Sequence, residues 1–133
     1  MYLRSLRISG FTSFKDVGWV PERLNVLIGP NGAGKSNLLR ALDLIRASAA
    51  GNLHDFVLSK GGLPRLLWGA RAEQIELWLT TDSIDKPSNF CPSYNMTLVR
   101  VPQSASFRVG AEALGFAEPP EGGFFSGVGT PWK

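Results

Sequence analysis

The sequence predicts an α/β fold, a mixed sheet with one long helix behind a glycine-rich loop and antiparallel strands after that helix. Three observations carry this. Apolar residues alternate at the start of the chain, a period-two pattern returns after residue 74, and between them Leu38, Leu42 and Ile45 recur at helical spacing directly after Gly29-Pro30-Asn31-Gly32-Ala33-Gly34-Lys35-Ser36.

The elements follow in order. From Tyr2 to Phe11, Leu6 and Ile8 fall on one face and Arg7 and Ser9 on the other, as in a half-buried strand. Lys15 to Gly18 reads as a turn, and Trp19 to Arg23 fits no single pattern. Leu24 to Ile28 reads as a buried strand that ends at Gly29. A helix of about four turns runs from Lys35, with Arg40, Asp43 and Arg46 on its polar side, until Gly51 and Asn52 stop it. Asn52 to Ala70 contains Gly61, Gly62 and Pro64 and reads as a short helical or irregular excursion. Ile75, Leu77 and Leu79, then Met96, Leu98 and Val99-Arg100-Val101, predict a hairpin with a long connection. The organisation expected is one lobe over residues 1–117 and a tail over 118–133, whose prolines and glycines exclude a helix or a central strand.

Composition sets outer bounds. A chain of 133 residues with 44% hydrophobic residues suffices for one packed core. The net charge of +3 is spread without a block of like charges, which permits nucleic acid as a partner without arguing for it. One cysteine, Cys91, cannot form an internal disulfide, the start has no signal-peptide pattern, and no apolar run spans a bilayer. A cytoplasmic location without membrane contact is the expectation.

The loop carries the chemistry. Gly29 to Ser36 fits G-x-x-x-x-G-K-[ST] between a predicted strand and a predicted helix, the context that this phosphate-binding pattern requires. Chance produces the pattern in roughly one chain in a hundred of this length. Its glycines reach backbone angles closed to other residues and keep side chains away from phosphate oxygens. The helix that follows adds free N–H groups and the positive end of its dipole. Asn31, Gly32, Ala33, Gly34, Lys35, Ser36 and Asn37 are the candidate nucleotide-binding residues, with Lys35 reaching the β- and γ-phosphates and Ser36 ligating Mg²⁺; ATP with Mg²⁺ is the expected cofactor.

Hydrolysis needs more. A carboxylate near Mg²⁺ and a group that orients water are required, and no apolar strand ends in an acidic pair. Asp82, after Leu77-Trp78-Leu79-Thr80-Thr81, comes nearest and reads as a solvated turn residue. His54 and Cys91 do not suffice for a zinc site and read as structural. Trp19, Trp68 and Trp78 read as core, Trp132 as an interface residue, and Arg65 and Arg71 as surface arginines.

The run GPNGAGKSNLLRAL from Gly29 to Leu42, with Leu6-Arg7-Ile8-Ser9-Gly10-Phe11-Thr12-Ser13-Phe14, resembles the N-terminal part of ABC-type ATPase heads. The likeness is to the SMC, RecF and overcoming-lysogenization-defect groups and to predicted AAA-family ATPases near them. Asn31 and Asn37 resemble that group's own version of the loop rather than that of GTPases or kinases. The resemblance implies a P-loop NTPase fold, the N-terminal lobe of a head. It also implies two heads that sandwich two ATP molecules, with the signature motif and the acidic pair coming later in the chain. The partner implied is a missing C-terminal lobe or a second head, a homodimer when complete, with DNA as a further partner.

Leu58-Ser59-Lys60-Gly61-Gly62 looks like the signature but reads as a local turn, since it follows the loop too soon. Gln74 and Gln103 are candidates for the glutamine that senses Mg²⁺ and water in such heads. Thr12 departs from the basic residue that many relatives carry there, with Lys15 as the nearby substitute. The functional expectation is an ATP-gated switch in DNA maintenance, repair or phage defence. The alternatives are a non-catalytic nucleotide-binding fragment or regulatory subunit and, more distantly, a small phosphate-loop kinase.

Overall fold

A computed structural model describes residues 2–82, 91–117 and 123–126, the last of these as backbone. Six strands form one sheet in the order β5-β4-β3-β1-β2-β6, and every described pairing is antiparallel. They are β1 Leu3–Phe11, β2 Phe14–Val20, β3 Gln74–Thr81, β4 Cys91–Arg100, β5 Phe107–Ala117 and β6 Gly123–Ser126. Between β2 and β3 come α1 Lys35–Ala49, α2 Leu53–Ser59, α3 Leu63–Leu66 and a 3-10 turn at Trp68–Ala70.

The alternation read from the sequence sets the register. Leu6 and Ile8 of β1 stand opposite Leu79 and Leu77 of β3, and Leu77 and Ile75 stand opposite Met96 and Leu98 of β4, so one face is apolar across three strands. Leu38, Ala41 and Leu44 of α1 cover it, helped by Val57, Leu63 and Leu66. The buried line of α1 runs through Leu38, Ala41 and Leu44, with Leu42 and Ile45 packed at its margin. The helix starts against the β1–β2 turn and ends against β4, where the Ser48 hydroxyl lies 3.5 Å from the Tyr94 phenol.

The opposite face is polar. Arg7 of β1 binds Asp16 of β2 through two hydrogen bonds of 2.9 and 2.6 Å, which hold its guanidinium more firmly protonated. Trp78 lies on this face, between Arg7 and Asn95, and is half exposed, so it is not the core residue that the sequence suggested.

Three local features differ from the sequence reading. Lys15 to Gly18 lies inside β2, and the turn is Thr12-Ser13, closed by the pair Phe11 and Phe14. Val17 and Trp19 alternate with an Asp16 whose charge Arg7 neutralises, so the turn-forming residues Asp16 and Gly18 are accommodated in a strand.

Leu24 to Ile28 is no strand. A parallel neighbour is what a strand at this point of a mixed sheet would pair with, and none stands among the described residues. Asn25 instead exchanges hydrogen bonds with the backbone of Glu22 in a local turn, and Leu24, Val26 and Ile28 are 82%, 71% and 91% exposed.

The third change is β5, an edge strand over a segment with no reading in the sequence. Beyond it, β6 pairs with β2 at the opposite edge, a place open to a short strand within the glycine-rich tail. Trp132, like the β3–β4 connection at 83–90, lies outside the described residues.

Candidate functional site

The loop stands where α1 meets the β1–β2 turn. Gly34 takes φ +99°, a left-handed angle that favours glycine, and α1 begins at the next residue. A Cβ built on Gly34 would lie 3.1 Å from the Phe14 ring and 3.2 Å from the Ser13 hydroxyl, so the turn packs directly against this glycine. Gly32, at φ +86°, has open space around it. The Ala33 N–H closes the loop on the Pro30 carbonyl at 3.2 Å, and a Cβ on Gly29 would lie 3.3 Å from that of Ala33.

Lys35 turns back over the loop. Its ammonium donates to the Gly29 carbonyl and, at 2.9 Å, to the Pro30 carbonyl. The cation is thus held against the glycine-rich segment by two of its carbonyls. No side chain caps α1, and no acidic residue stands in its first turn. Its leading N–H groups and dipole therefore favour an anion without a competing carboxylate. Ser36 is exposed at the same end, a hydroxyl available to a hard cation. The Asn37 side chain leaves the loop, donating to the Ser13 hydroxyl at 2.7 Å and accepting from Arg40 at 3.2 Å. Asn31 is exposed at the rim.

The remaining candidates are dispersed. Asp82 lies at the far end of β1, where it accepts from the Tyr2 N–H and donates its own N–H to the Tyr2 carbonyl. At ~3.3 Å per residue, the strand from Tyr2 to Thr12 puts it about 30 Å from the loop's end of the sheet. It therefore does not serve as the carboxylate near Mg²⁺. Gln74 donates to Glu76, and Gln103 is exposed in a left-handed turn. Lys15 holds its ammonium 5.5 Å from the centre of the Trp68 ring. Leu58 and Ser59 end α2, and Gly61 and Gly62, both at positive φ, turn the chain into α3. His54 is exposed beside Phe107, and Cys91 is buried. Among the described residues, no three His, Cys, Asp or Glu side chains converge as metal ligands.

Sequence reasoning missed Ser13 and Phe14, which form the wall beside Gly34, and Leu66, whose carbonyl accepts from the Thr12 N–H of the same turn. The signal was there in part: two residues between Phe11 and Phe14 suit a tight hairpin, which would have placed Thr12 and Ser13 at its tip.

The loop lies within a segment that known proteins share. Residues 24–77 match the family described as "AAA domain, putative AbiEii toxin, Type IV TA system". The chain is 28% identical over 120 residues to OLD nuclease of Thermus scotoductus, covering 84% of the chain and 20% of that protein. It is 30% identical over 89 residues to structural maintenance of chromosomes protein 3 of Caenorhabditis elegans, covering 65% of the chain and 7% of that protein. Over 44 residues it is 46% identical to the chromosome partition protein Smc of Coxiella burnetii, covering 32% of the chain and 4% of that protein. The chain thus spans a fifth or less of the length of these relatives. Residues 24–77 are thus similar in sequence to an AAA domain. No described helix is long and apolar enough to cross a membrane.

Proposed function

We propose, on the footing that this chain is similar to the N-terminal part of SMC- and OLD-like AAA-family ATPases, that it is the ATP-binding lobe of a head whose catalytic carboxylates lie elsewhere. The observation that carries the reading is the Lys35 ammonium drawn over the carbonyls of Gly29 and Pro30 beside an uncapped helix start. A cation, a row of N–H groups and glycines without side chains in one concave loop fit a triphosphate.

In this reading Asn31, Gly32 and Gly34 line the phosphates with backbone N–H groups, and Ala33 joins them by releasing the Pro30 carbonyl. Lys35 shifts from its carbonyl partners to the β- and γ-phosphates, and the Ser36 hydroxyl holds Mg²⁺. Bound Mg²⁺ supplies charge that offsets that of the phosphates. The bared Leu24–Ile28 segment supports a head completed by a further lobe or a second copy, since four apolar residues in solvent call for a covering surface. ATP would then gate that association, with a role in DNA maintenance, repair or defence against phage. A second reading, a nucleotide-binding module without catalysis, is favoured by the distance of Asp82 from the loop.

The test is Mg²⁺-ATP binding and phosphate release by the chain, with and without duplex DNA, beside Lys35→Ala. Binding that the substitution abolishes, with no turnover, is expected. Absence of binding would sink the reading, and turnover by the isolated chain would place a catalytic carboxylate within it.

A further inference from the structure

The turn beside the loop is a strained element pinned at two points. Thr12 has φ +48°, a left-handed angle that a β-branched residue rarely adopts, so the turn persists only where its surroundings hold it. One hold is the Thr12 N–H, bonded to the Leu66 carbonyl at 2.7 Å. The other is the bond between the Asn37 amide and the Ser13 hydroxyl, 2.7 Å.

This second bond closes a ring. The Asn37 N–H donates to the Gly34 carbonyl at 3.0 Å, the Asn37 side chain donates to Ser13, and Ser13 with Phe14 packs against the Cα of Gly34. The glycine that joins loop to helix is thus clamped between its own first helical turn and the hairpin tip. Arg40 fixes the orientation of the amide, because a guanidinium only donates and so takes the oxygen, which leaves the nitrogen for Ser13.

We propose that Asn37 is a positioning residue that sets nucleotide affinity through the Ser13 turn and Gly34, without touching the nucleotide. The proposal rests on the reading of the loop as an ATP site. Its substance is that Asn37 and Ser13 form a latch, so that losing either side has the same effect as losing both.

The experiment has two arms, with Asn37→Ala, Ser13→Ala and the double variant. Without ligand, amide hydrogen exchange at Thr12 is expected to quicken in each variant by roughly five- to tenfold, the scale of one lost hydrogen bond. Exchange across Ile75 to Leu79 stays as in the parent and reports an intact sheet. With Mg²⁺-ATP, affinity is expected to fall by a similar factor in each single variant and no further in the double. Unchanged exchange at Thr12 in Asn37→Ala would overturn the latch. So would an affinity loss on removing Asn37 that persists in the Ser13→Ala background, since it would mean direct contact with the nucleotide. A parent chain that binds no Mg²⁺-ATP would remove the ATP reading, while the exchange arm would still decide whether the latch exists.

Discussion

The sheet and the segment that feeds the loop use similar residues to opposite ends. In β1 and β3, Leu6, Ile8, Ile75 and Leu77 are each 1% exposed, whereas Leu24, Val26, Leu27 and Ile28 stand in solvent. Both runs are apolar and carry strand-forming residues. The difference is the partner: β1 has a ladder neighbour on each side and helices over its face, and Leu24 to Ile28 has none among the described residues. Hydrophobicity makes a strand where another strand is present to pair with.

Substitutions can break this contrast, from large effects to small, each measured by urea or thermal unfolding. Leu77→Ala should destabilise by about 2–5 kcal/mol through lost burial and the cavity left behind. Gly10→Ala belongs in the same class, since its Cβ would lie 2.2 Å from the Gln74 carbonyl oxygen at a φ of +71°.

Ser5→Ala should cost about 1–3 kcal/mol by leaving the buried Thr80 hydroxyl without the partner it has at 2.6 Å. Asp16→Asn, which weakens the partly buried pair with Arg7 on the polar face, should cost about 1 kcal/mol.

Ile28→Ser should change stability by no more than about 0.5 kcal/mol, because the side chain is 91% exposed. A loss as large as that from Leu77→Ala would mean that the segment is buried in solution and would erase the contrast. A loss that emerges only when a further lobe or a second copy is added would sharpen it, by locating the missing cover at this segment.

What was legible follows from the range of the forces involved. The helix α1 is local and begins where the glycine-rich spacing put it, although its buried line runs through Leu38, Ala41 and Leu44 with Leu42 and Ile45 at the margin, and the strand expected before the loop is absent among the described residues. The strands β1, β3 and β4 announced themselves because one face of each is buried.

Non-local pairing stayed hidden. The residues of β2 imitate a turn, with Asp16 and Gly18, until Arg7 supplies the missing charge from another strand. In β5, Gly110, Gly115 and three alanines give little strand signal, and the strand exists as an edge laid against β4. At the site, Ser13 carries no motif of its own. Only the fold reveals that it lies against Gly34 and bonds to Asn37, twenty-four residues away.

The ammonium of Lys35 has a consequence for kinetics. By bonding the carbonyls of Gly29 and Pro30, it serves as an internal guest that keeps the loop curved before any anion arrives. On the proposed reading, an incoming triphosphate would exchange partners with a cation already in place. Removing Lys35 therefore takes away a strut as well as a charge, and the loop should lose its curvature even in the absence of ligand.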